Sequence, residues 1–127
     1  MGRKKSFNTD IVLEQIGQLF ISQGYNGTSV DDLVKCTGLL RGSLYATFGS
    51  KQGMFIAALK RSVATDSPAK WGLLIVAMLE VTSTNQKVAQ LVHDWYQAHQ
   101  TENIAEEIGR AVLAQGQLID EGVNHGK

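Results

Sequence analysis

The chain has 127 residues, 43% of them hydrophobic, with 12 basic side chains, 12 acidic ones and a single cysteine. This is enough for one compact domain, or a small module with a helical extension; an internal disulfide is excluded, and no apolar run nears the ~20 residues that span a bilayer. The zero net charge hides a split. Residues 1–64 hold eight Lys/Arg against four Asp/Glu, a net of +4, and residues 65–127 hold four against eight, a net of −4. A basic half suits a polyanion, and an acidic half keeps the remainder of the molecule off it.

The opening MGRKKSFNTD contains no apolar signal core, so the expected location is the cytoplasm. Arg3, Lys4 and Lys5 make a basic arm suited to a phosphate backbone or minor groove. With one proline and little β-branched alternation, the predicted architecture is all-α. Helix one is expected from Thr9 to Gln23, with Val12, Leu13, Ile16, Leu19 and Phe20 at helical spacing, Asn8 or Thr9 capping it and Gly24 ending it. Thr28 is expected to open helix two, with Asp31 completing a capping box and Gly38 supplying the tight turn after it. Helix three, Leu40–Thr47, is too short to stand alone and needs its neighbours to hold it. Ser50 caps helix four, whose buried side is Met54, Phe55, Ala58, Leu59 and Val63.

Thr65–Lys70, with Pro68, reads as a joint. The stretch from Trp71 to Val81 is apolar nearly all round and so is expected to be buried on more than one side. Val88, Leu91, Val92, Trp95 and Tyr96 mark a further helix. Ile104, Ile108, Val112, Leu113 and Leu118 continue a stripe after the polar stretch 97–103, which either bends the helix or splits it. The tail after Glu121 is expected to fray. Cys36 falls on an inward helix face, where a free cysteine acts as a small hydrophobe.

A short helix, a glycine turn and a second short helix carrying Arg41, Ser43, Tyr45 and Thr47 form a helix-turn-helix, a unit that enters a DNA major groove. Arg41 suits a guanine edge, and the hydroxyls of Ser43 and Thr47 suit any base. Lys51 with the amides opening helix four, the Tyr45 hydroxyl, and Thr28 or Ser29 are candidate phosphate contacts, as are Lys4 and Lys5. From spacing alone, Tyr45 as a core tyrosine and Lys51 as a solvated lysine compete evenly with that reading.

The motifs Phe20-Ile-Ser-Gln-Gly24-Tyr25, Thr28-Ser-Val-Asp-Asp-Leu33-Val34 and Gly38-Leu-Leu-Arg-Gly42-Ser-Leu44-Tyr45-Ala-Thr-Phe48-Gly-Ser-Lys51-Gln-Gly-Met-Phe55 resemble the TetR/AcrR-type transcriptional regulators over residues 9–60. The resemblance implies a three-helix DNA-binding domain at residues 1–50. A linking fourth helix and a small helical dimerisation and ligand region would fill 51–127. Three residues depart from the family pattern. Leu40 replaces a small polar residue at the front of the recognition helix, where it either touches a thymine methyl or packs. Thr47 stands where His or Tyr is common, and Gly53 replaces an acidic residue, which weakens the start of helix four. The second half is also about half as long as the family's.

The function implied is a homodimeric repressor on a palindromic double-stranded DNA operator, released by a small hydrophobic effector. The alternative is a shortened interaction protein that heterodimerises with a full-length relative and modulates it. Trp71, Met78, Trp95 and Tyr96 are candidates for either a dimer interface or an effector pocket. His93 and His99, six residues apart with no Cys partner, lack metal-ligand spacing. No nucleophilic or phosphate-cradling constellation is present, and neither an enzyme nor a cofactor is expected.

Overall fold

The computed structural model describes residues 7–119. Among them, seven α-helices and no strand are found: α1 (Thr9–Gln23), α2 (Val30–Thr37), α3 (Arg41–Phe48), α4 (Lys51–Ala64), α5 (Ala69–Val76), α6 (Gln86–Ala98) and α7 (Ile104–Gln115). A π-helical turn, Ala77–Val81, extends α5. None of these helices is long and apolar enough to cross a membrane. The basic arm with Lys4 and Lys5, and the tail after Glu121, lie outside the described residues.

Local sequence sets the helix ends. The Asn8 side chain accepts from the Ile11 amide at 3.2 Å, and Gly24, at φ 79°, returns its N–H to the Phe20 carbonyl to stop α1. Gly38 takes the left-handed conformation at φ 75° after α2, a geometry that costs a residue without Cβ little. The start of α2 is one residue later than the sequence suggests. Ser29 is the cap and Asp32, not Asp31, completes the reciprocal box. Thr28 is 1% exposed, and its hydroxyl donates to the Gly24 carbonyl at 2.6 Å.

A continuous core joins both halves of the chain. Ile16, Phe20, Leu33, Leu44, Met54, Phe55, Leu59, Leu74, Val88 and Trp95 all belong to it. α1 packs against α2, α4 and α5, and α5 also packs on α4 and α7. Phe20, Tyr25 and Phe55 form an aromatic triad with ring centroids 5.2–5.6 Å apart. Arg61 on α4 reaches back to Glu14 at 3.0 Å and Asp10 at 3.4 Å on α1. α1 and α5 approach closely at Gly72, where an added Cβ would meet Ile21 Cγ1 at 2.8 Å.

Of the apolar stretch Trp71–Val81, residues 72–77 and Val81 are buried, but Leu79 is 77% exposed, contrary to burial all round, and the stretch does not remain a regular helix. The Thr82 amide donates to the Ala77 carbonyl, five residues back, which opens the π turn. The polar stretch splits α6 from α7 rather than bending one helix. The predicted stripe on α7 also turns out of phase. Ile104 and Ala111 are buried, whereas Val112, Leu113 and Leu118 are exposed.

Candidate nucleic-acid interface

The reading head is α3, held by what surrounds it. Eight residues cannot sustain a helix alone; α3 packs on α2 and α4, and its Leu44 is fully buried in the core. In front of it, the Thr37 hydroxyl donates to the Leu33 carbonyl at 2.8 Å and accepts the Leu39 amide at 3.2 Å, which fixes the turn between α2 and α3. Leu40 occupies the cap position and supplies no side-chain cap, so the first amides of α3 are left without one.

The side chains of α3 divide into two rows. Arg41, Gly42, Tyr45 and Ala46 face solvent, with Arg41 and Tyr45 one helical turn apart. Ser43 and Thr47, also one turn apart, sit half-buried on the flank beside Leu44. Tyr45 is therefore not a core residue. Leu40 is 77% exposed and is not packed against the core. Gly42 has open space where a Cβ would point, so backbone is presented bare at this surface. In sequence an alanine carries no chemical signal, and only its position on the exposed row marks Ala46.

Charge on this face is organised by pairs. Arg41 is ion-paired with Asp31 on the exposed side of α2, a contact that local spacing does not reveal. Both groups are more than half exposed, so the pair is a weak restraint that holds the guanidinium in orientation. The Ser29 amide donates to Asp32 at 2.9 Å and the Asp32 amide to the Ser29 hydroxyl at 3.0 Å. Gln23 adds a further bond to the same carboxylate at 3.2 Å. The Ser29 amide, then its hydroxyl, then Gln23 hold the Asp32 carboxyl below its ordinary value.

Behind α3, Ser50 caps α4 by accepting the Gly53 amide at 2.9 Å. Lys51 is half-buried, with its ammonium 4.2 Å from the centre of the Tyr25 ring. Burial lowers its pKa from the ordinary lysine value, against a smaller opposing pull from Glu80. Lys51 and Ser29 remain at the surface that flanks α3. Thr28 does not join them: its side chain is buried and its hydroxyl donates to the Gly24 carbonyl.

The four aromatic and methionine candidates of the second half are only partly brought together. Met78, Trp95 and Tyr96 line an open groove of about 370 Å³ with Thr82, Val92 and Ile108. Trp71 is not in its lining; it meets Trp95 edge-on, with ring centroids 5.8 Å apart. The Trp95 indole N–H is buried and has no acceptor among the described residues. His99 stacks on Trp95 and its Nδ1 lies 2.8 Å from the Trp95 carbonyl oxygen. No group of three or more metal-ligating side chains is found among the described residues.

The sequence model of the bacterial regulatory proteins of the tetR family matches residues 12–58, the segment from α1 through most of α4. The chain carries a TetR-type regulatory domain. The chain is 45% identical over 60 residues to an uncharacterized HTH-type transcriptional regulator, YezE, of Bacillus subtilis (strain 168). That stretch covers 47% of this chain and 31% of YezE. It is 44% identical over 62 residues to the HTH-type transcriptional repressor ComR of Escherichia coli (strain K12), covering 49% of this chain and 30% of ComR. A third relative, the HTH-type transcriptional repressor BdcR of the same organism, is 33% identical over 66 residues, covering 52% and 34%. The chain thus spans about a third of the length of the curated relatives it matches. No solved structure matches it.

Proposed function

We propose that this chain is a sequence-specific DNA-binding regulator that works as a homodimeric repressor on a palindromic operator. The observation that carries the reading is the exposed row of α3. A helix too short to exist alone is anchored by Leu44 and presents Arg41, Gly42, Tyr45 and Ala46 outward beside Leu40. Residues 1–50 supply the reading head, and 51–127 supply its attachment and regulation.

Arg41 reads a guanine edge once it leaves Asp31, and Leu40 and Ala46 lie against thymine methyls. Tyr45, Lys51 and Ser29 contact phosphates, with Ser43 and Thr47 supporting the flank and Lys4 and Lys5 extending the contact as an arm. A small hydrophobic effector fits the groove at Met78, Trp95 and Tyr96. There, a ligand acceptor that reaches the buried indole N–H would satisfy it.

Selection from a random duplex pool, followed by gel shift at two salt concentrations, tests the reading. The expected result is a selected palindrome, with affinity that falls steeply as salt rises. Arg41→Ala relaxes base preference at one position per half-site at a cost of roughly 1–3 kcal/mol, while Lys51→Ala weakens binding to all sequences alike. A chain that selects no palindrome and shows no salt-dependent shift is not this kind of protein.

A further inference from the structure

Glu80 sits on the π turn Ala77–Val81, whose neighbours Met78 and Thr82 line the groove of the second half. Its carboxylate reaches the other end of the sequence. One oxygen accepts the Asn26 amide at 2.8 Å, a contact between residues 54 apart. The other lies 2.6 Å from where a Gly24 Cβ would stand, so the bare backbone at Gly24 makes room for it. Asn26 belongs to the α1–α2 turn, which leads directly into the Ser29 cap.

Tyr25, between the Gly24 and Asn26 positions that the Glu80 carboxylate touches, carries the Lys51 ammonium over its ring, which brings Lys51 within reach of the carboxylate's charge. The two charges close no direct ion pair, so their attraction acts through space and is modest. π turns are uncommon and often fall at functional positions. This one carries both Met78, which lines the groove, and Glu80, whose carboxylate holds the α1–α2 turn.

We propose that Glu80 is a positioning residue for the DNA face, fixing the α1–α2 turn through Asn26 and drawing Lys51 away from phosphate. The competition for Lys51 rests on the DNA-binding reading above.

The test uses the full chain and two substitutions that separate charge from hydrogen bond. Glu80→Gln keeps an oxygen for the Asn26 amide and removes the charge, whereas Glu80→Ala removes both. By anisotropy against a fixed duplex at low salt, Glu80→Gln is expected to bind roughly two- to fivefold tighter, the range of an exposed charge pair. The gain should be the same on any sequence and should vanish in the Lys51→Ala background. Amide exchange read by NMR should quicken at Asn26 in Glu80→Ala and not in Glu80→Gln. A gain that survives Lys51→Ala, or a loss of affinity in Glu80→Gln, overturns the competition for Lys51. Unchanged Asn26 exchange in Glu80→Ala overturns the hold on the turn. A wild-type chain that binds no duplex overturns the DNA-binding reading and the competition with it, while the Asn26 measurement still decides the hold on the turn.

Discussion

Gly53 shows how far a helix rule can mislead at one position. It lies in the first turn of α4, where replacing glycine with alanine ordinarily stabilises a helix by about 1 kcal/mol. Here an added Cβ would stand 1.9 Å from the Phe48 carbonyl oxygen, which belongs to the preceding helix and cannot swing aside as a flexible side chain does. The steric term exceeds the propensity term, and Gly53→Ala is expected to lower stability by roughly 1–3 kcal/mol in urea denaturation. A stabilised variant would show that the link between α3 and α4 relaxes freely. The residue that the family pattern makes a weak helix start is thus a close-packing position, with the cap itself retained by Ser50.

Asp32 gives a pH dependence of definite sign. Its folded-state pKa is depressed by the Ser29 amide first, then the Ser29 hydroxyl and Gln23. A depressed carboxylate stabilises the fold fully above its ordinary, unfolded value, and that stabilisation is lost as pH falls through the lower folded value. Melting temperature should therefore decline on the acid side, and Asp32→Asn should shallow that decline while lowering stability at neutral pH. An acid limb of unchanged slope in the variant would place its origin in other carboxylates.

Helix contacts set the next level. α1 and α5 meet where Gly72 leaves no room, with Ile21 carbons 2.8–3.0 Å from the site of an added Cβ. Gly72→Ala is expected to destabilise the fold, and Ile21→Val in the same chain to recover part of the loss. Chemical denaturation of the two singles and the double gives the coupling, and simple additivity would mean that the helices separate rather than clash. What the sequence makes legible follows the range of each cause. α1, α4 and the Gly38 turn are set by caps and periodicity within a few residues, and they fall where those signals put them. Tandem pairs defeat single-residue precision: Thr28-Ser29 and Asp31-Asp32 offer two overlapping capping boxes, and burial of Thr28 selects the second. A run that is apolar all round carries no phase, so the π turn inside 71–81 leaves no trace in the pattern. The Arg41–Asp31 and Glu80–Asn26 contacts depend on how helices come together, which no local spacing records. On α7 the same limit applies, since packing against α5 buries Ala111 and turns the larger Val112 and Leu113 outward.

For the molecule as a whole, the outward turn of α7 bears on assembly. Val112 and Leu113 on α7 and Leu118 just beyond it are 47%, 43% and 73% exposed, large apolar side chains left at the surface of the acidic half. One α3 reads only a few base pairs, so useful specificity requires two heads on one duplex, and we propose that an isologous contact through these exposed side chains supplies the second. Leu113→Glu sets two like charges against each other across such a two-fold contact while leaving the core and α3 untouched. Sedimentation of the full chain is expected to shift from dimer to monomer in this variant. Affinity for a palindrome should fall by roughly 10²–10⁴, the advantage of a second, tethered contact, while weak binding to a single half-site persists. Each arm of that outcome isolates a cause: loss of half-site binding as well would signal damage to the fold. A variant that stays dimeric and binds the palindrome as tightly as wild type would place the dimer contact on a surface other than α7.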